Sequence, residues 1–156
     1  MQQIAVSELS AEGFARFGMV GLPLADGSPG AAPGAGDVAL DLSQGRPRFY
    51  LMRLADRGTE FDVMARHDRV TQCLGTIDGP PWLIAVAQAT VTEPGIADIS
   101  AFRIPAACFI TLAQGTWHAG PYFTEVWRNF YNLELADTNT ADYRVCRLAA
   151  PMGFAP

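Results

Sequence analysis

From residue 37 onward, apolar and polar positions follow the short periods of extended chain. The segments 48–54 and 61–65 alternate, the mark of a strand with one face buried. The run 82–89 is apolar but for Gln88, which suits a strand covered on both faces. Further strands are predicted over 99–104, 108–112, 125–135 and 143–148. Turn signals separate them: Arg57-Gly58, Asp78-Gly79-Pro80-Pro81, Glu93-Pro94-Gly95, Ala113-Gln114-Gly115, and residues 137–140. Gly, Pro, Asn and Asp at such points break regular pairing. Many short strands at close spacing predict a β-sandwich or barrel. The first 20 residues read differently. Residues 4–6 suit a short strand, and Ser10 is placed to cap a helix over 11–17 that Gly18 ends. Phe14 and Phe17 would share its inner face. Residues 27–36, GSPGAAPGAG, read as a surface loop.

Composition narrows the class. One domain over 1–156 is expected from the length. Apolar residues make up 49% and charged residues 17%, values of a folded chain. The net charge is −5 and no basic stripe is visible, so nucleic acid is not an expected partner. Every basic residue is arginine, which excludes Schiff-base chemistry and a Walker-type lysine. Three separated cysteines, Cys73, Cys108 and Cys146, predict inert thiols in a reducing compartment. With no apolar run long enough to span a bilayer and no leader-like start, a cytoplasmic protein without membrane contact is expected.

Candidate chemistry gathers around the only two histidines, His67 and His118. Imidazole changes charge near neutral pH and serves as a general acid or base. Arginine matches a carboxylate with two parallel hydrogen bonds. Arg53, Arg66 and Arg103 lie on or beside predicted strands. Arg53 shares its strand face with Phe49 and Leu51, so it is expected to point inward. Taken alone, His118 reads as a core histidine beside a packing Trp117, and His67 as a surface residue in Arg-His-Asp-Arg. Their spacing argues otherwise. His67-x4-Gln72-x6-Gly79, followed by Gly115-x-x-His118, resembles the two signature stretches of the cupin barrel. This implies a mainly β fold: a cupin-type double-stranded β-helix, or jelly-roll, with a short N-terminal helix. It also implies that Gly120-Pro121 ends a strand at the barrel mouth. Cupins often hold a metal with His-x-His, Glu and a later His. Here those positions are Ala65, His67, Gln72 and His118. If a divalent metal binds, His67, Gln72 and His118 are its expected ligands. That set lacks a carboxylate or thiolate, and Arg66 and Arg69 flank it, so ligand count does not favour a cation.

Over most of its length the chain resembles the ureidoglycolate lyase family. The opening Leu9-Ser10-Ala11-Glu12-Gly13-Phe14-Ala15-Arg16-Phe17-Gly18 is similar to that family's L-S-x-E-x-F-x-x-Y-G. Arg53, Arg66-His67 with Thr71-Gln72, Ala101-Phe102 and Trp117-His118 follow in the family's order. The resemblance implies a cupin barrel, usually a homodimer, that cleaves ureidoglycolate to glyoxylate and urea late in purine breakdown. It further implies His67 and His118 as catalytic groups. Arg53 or Arg66 would bind the substrate carboxylate, with Gln72 and Trp117 in the binding site. The chain departs from the family pattern at Ala65, Leu112-Ala113, Ala119 and Ala35-Gly36, and has no Asp-Arg near Leu135. Polar groups have become small or apolar there. Two other readings stay open: a non-catalytic cupin that binds a small carboxylate, and a metal-dependent cupin enzyme of another reaction type.

Overall fold

The computed structural model describes residues 2–30 and 36–155. Residues 31–35 of the loop expected over 27–36 therefore lie outside the described residues. The strands are β1 (Gln2–Ile4), β2 (Val6–Glu8), β3 (Val20–Gly21), β4 (Pro47–Ala55), β5 (Glu60–Arg66), β6 (Gln72–Gly75), β7 (Trp82–Ala87), β8 (Ser100–Ile104), β9 (Phe109–Leu112), β10 (Trp117–Tyr122), β11 (Trp127–Leu135) and β12 (Arg144–Phe154). Two short helices, α1 (Ala11–Phe14) and α2 (Thr138–Ala141), interrupt them. The strands form a seven-stranded sheet, β1-β12-β5-β10-β7-β8-β2, and a five-stranded sheet, β3-β9-β6-β11-β4. All pairings are antiparallel except β1 with β12 and β2 with β8. The two sheets nearly close on one another, and the fold is a mainly β, cupin-type barrel.

Side-chain alternation gives the barrel its core. Trp82, Ile84 and Val86 on β7 join Phe102 and Ile104 on β8. Facing them from the five-stranded sheet are Leu74, Ile110, Leu112 and Phe130. Successive strand residues point to opposite faces, so the other residues of the same strands meet elsewhere. Ala85, Ala87 and Ala101 pack with Met64, Trp117, Leu148 and Met152 in a second cluster. β7, between β10 and β8, is thus covered on both faces, as its unbroken apolar run predicts.

Several boundaries differ from expectation. Ser10 does cap α1, accepting from the Gly13 N–H at 3.0 Å, but the helix ends at Phe14 and residues 15–17 form a turn. Phe17 still reaches the core, within 5.9 Å of Phe14 between ring centroids. β12 runs on through Pro151 to Phe154, with a register shift between Arg147 and Met152. β10 does not end at Gly120-Pro121. It continues to Tyr122 across a register shift after Ala119, because an irregularity absorbs the missing proline N–H.

Candidate functional site

Two backbone contacts bring the histidines together. His67 lies just past β5, and His118 is the second residue of β10, where it pairs with Ala65. The Gly115 N–H donates to the His67 carbonyl at 2.7 Å. Gly115 adopts φ +80°, a conformation that glycine reaches without strain. The second contact is Asp142, just after α2. Its carboxylate accepts from the N–H groups of Asp68 and Arg69, both at 2.8 Å. Its backbone carbonyl accepts from His67 Nδ1 at 2.6 Å. The rings of His67 and His118 lie 5.2 Å apart, centroid to centroid.

Both imidazoles are oriented alike. A carbonyl can only accept, so the bond to Asp142 puts a His67 proton on Nδ1, and in the neutral tautomer Nε2 is the nitrogen that carries the lone pair. His118 Nδ1 likewise faces the Thr116 carbonyl at 3.3 Å. Burial, with repulsion from His67 second, pulls the His118 pKa down to about 4; the Thr116 bond opposes this. His118 is therefore neutral at pH 7 and accepts rather than donates at Nε2.

The two histidines and Gln72 line one cavity of about 490 Å³ inside the barrel. Across from the imidazoles stands a polar cluster that sequence reasoning missed. Glu134 is 1% exposed and collects donors: Tyr50 OH at 3.2 Å, Gln72 Nε2 at 3.3 Å, Asn132 Nδ2 at 2.9 Å and Asn139 Nδ2 at 3.3 Å. Arg48 adds an ion pair at 3.6 Å. Gln72 Nε2 also donates to Asn132 Oδ1 at 3.2 Å, which orients the amide. Its Oε1 is then left buried with no donor. Met52, Leu54, Phe61 and Leu74 give the wall an apolar part, and Glu60 and Asp62 bring two further carboxylates to it. Ala65 and Ala119 line the cavity too, so two departures from the family pattern fall inside it.

Three expected site residues are elsewhere. Arg53 points outward, its Nε donating to Asn129 Oδ1 at 3.0 Å and its guanidinium 4.4 Å from the Trp127 ring centre. The inward faces of β4 are Tyr50, Met52 and Leu54. Phe49 and Leu51, which suggested an inward Arg53, are themselves 70% and 68% exposed. Arg66 and Trp117 precede His67 and His118 by one residue, and alternation sends them to the other side of the sheet, into a separate cleft. The arginine that does line the barrel cavity is Arg57, held at 3.3 Å from the Pro121 carbonyl. Cys73 and Cys108 are buried free thiols, and burial pushes Cys73 up to about 11. Cys146 is only half-buried.

The donor set does not suit a metal. Among the described residues no three His, Cys, Asp or Glu side chains come together as ligands. Gln72, the third expected ligand, is tied into the Glu134 cluster by its Nε2. Among the described residues, no helix is long and apolar enough to cross a membrane.

No curated protein sequence matches the chain. A family model does: that of ureidoglycolate lyase aligns with residues 1–145. With nearly its whole length matched, and its two histidines meeting inside a cupin-type barrel, the chain belongs to the ureidoglycolate lyase family.

Proposed function

We propose that the barrel cavity binds a small ureido acid and cleaves its carbinolamine C–N bond, with ureidoglycolate yielding glyoxylate and urea. The observation that carries this reading is the unpaired acceptor Gln72 Oε1, buried in the cavity that holds two lone-pair-bearing imidazoles. A buried acceptor without a donor is costly, and a ureido N–H supplies that donor. Glu134, its carboxylate already engaged by its own donors, holds the Gln72 amide in place from behind. Arg57 takes the role of carboxylate partner that Arg53 and Arg66, facing away, do not fill.

The bond changes balance within the substrate. The hydroxyl proton passes to an imidazole Nε2, the carbon–oxygen double bond forms, and the C–N bond breaks. The proton then goes to the departing urea nitrogen. Two imidazoles at 5.2 Å repel when both are charged, so the pair holds one proton at a time and returns it. A positioned base of this kind contributes about 10²–10⁴ in rate. Urea release by His118→Ala is expected to fall at least about tenfold in kcat/KM, roughly 1.4 kcal/mol. Gln72→Leu, which keeps the volume and removes Oε1, is expected to fall similarly. Wild-type turnover in both variants overturns the assignment.

The apolar wall and Ala119 support a second reading, a non-catalytic barrel that binds a small carboxylate. Tight binding of glyoxylate with no urea release from ureidoglycolate selects it over the first.

The resemblance carries further implications that we adopt as part of the proposal: a late step of purine breakdown, in the cytoplasm, by a homodimer. For the dimer the supporting feature is the free edge of β4. The Asp56 N–H and the Arg46 carbonyl both bond toward the β11 side. By antiparallel alternation the N–H and C=O groups of Phe49, Leu51 and Arg53 therefore point away from β11. A two-fold axis at Leu51 would pair this edge with a second copy, setting Phe49 against Arg53 and Arg46 against Asp56 of the other chain. Exposed apolar edges of this length are normally covered.

A further inference from the structure

The residues that alternation removed from the barrel build a cleft of their own. It has a volume of about 660 Å³ and lies between residues 89–93 and the start of β12. Its floor is Arg66, whose guanidinium sits 5.0 Å from the centre of the Trp117 ring. Trp117 in turn donates its indole N–H to the Val91 carbonyl at 2.8 Å, pinning the far wall. Arg144 and Arg147 line the other side, and Glu93 stands on the lip.

Charge in this cleft is incompletely matched at one point. Asp68 Oδ1 accepts from Arg66 at 3.0 Å and Asp68 Oδ2 pairs with Arg144 Nε at 3.0 Å. One carboxylate thus serves two guanidinium groups, and both of its oxygens are taken. Arg147 is separately paired with Asp62. Arg66 has a further unmet need. Its side chain is only 17% exposed, and its Nε–H is buried with no acceptor. Its other contact, to the Ala89 carbonyl, is long at 3.5 Å. Arginine offers its donors as a planar fork that fits an oxyanion, and the stacked Trp117 holds that fork in place.

We infer that this outer cleft is a binding site for a small oxyanion, a carboxylate or a phosphate group, held by Arg66 Nε and Arg144. The site is independent of the barrel reading, because it uses none of the groups that line the barrel cavity.

The test is a titration of ¹⁵N-labelled protein with sodium phosphate and, separately, sodium oxalate, against sodium chloride at matched ionic strength. The Trp117 indole N–H resonance is the reporter. A saturable shift with phosphate or oxalate but not chloride is expected, and the anion that saturates identifies the class of ligand. Arg144→Gln, at a 68% exposed side chain, is expected to weaken binding at least about tenfold, roughly 1.4 kcal/mol. Arg66→Lys, which keeps the charge and removes the fork, is expected to do the same. His118→Ala is expected to leave the titration unchanged whatever it does to turnover. No saturable shift with either anion overturns the inference, as does saturation equally strong in Arg144→Gln.

Discussion

Glu134 shows how one side chain organises the interior. Four neutral donors and the Arg48 guanidinium converge on its carboxylate. Its removal would strand those donors in a closed space. Glu134→Ala is therefore expected to lower the unfolding free energy by about 2 kcal/mol, read from urea denaturation midpoints; an unchanged midpoint would mean water replaces the carboxylate freely. His118 gives a pH signature. Its folded pKa, about 4, lies below the unfolded value near 6.5. Between those values the unfolded chain binds the extra proton, so stability rises with pH across the window. The contribution is complete above about pH 6.5 and is lost as pH falls toward 4. Going from pH 7 to pH 5 is expected to remove about 2 kcal/mol through this group. Parallel denaturation of His118→Leu, with a flatter profile over the same range, checks the attribution.

At the scale of the element, β11 explains why half the site was hidden. The strand itself is legible in the sequence, but its inward residues are Arg128, Phe130, Asn132 and Glu134. Its large apolar residues Trp127, Tyr131 and Leu133 fall on the opposite face. Apolar-inward reasoning points that strand the wrong way, and the same inversion on β4 misdirected Arg53. The cause is physical: the barrel interior here is a polar pocket, so burial no longer tracks hydrophobicity. β6 escaped notice because four residues, one of them glycine, give too short a period. The outward apolar face carries its own expectation. Leu51→Lys, a charge at the centre of the β4 edge, should turn a dimer into a monomer in size-exclusion chromatography with light scattering. A wild-type chain that already runs as a monomer removes the β4 pairing.

At the scale of the whole molecule, two cavities lie back to back. His118 on β10 and His67, just past β5, line one of them, and the residue before each, Trp117 or Arg66, lines the other. The residues of the motif spacing, the two histidines and Gln72, line one cavity, because a cupin fold fixes those positions along the strands. The spacing could not separate adjacent residues into different cavities, since that depends on the pleat of the closed sheet. Resemblance to the family served the fold well for a related reason: strand order and core pattern tolerate the alanine replacements that strip polar groups from the pocket.

The link from Asp142 to the His67 ring extends the site beyond the residues that touch a substrate. The connection from β11 to β12 runs over the surface through α2, the sort of segment in which length changes are usually silent. Here its penultimate residue, Asp142, holds an imidazole through a main-chain carbonyl, a contact that no side-chain replacement at that position deletes. A single glycine inserted at residues 139–140 is expected to depress kcat and, because it displaces the Asp142 carboxylate from the Asp68 and Arg69 N–H groups, to lower the melting temperature, whereas Asp142→Asn, which keeps the carbonyl, is expected to depress kcat less. In the proposed reaction, this turn with its buried Thr138 and Asp142 would set the position of one of the two imidazoles.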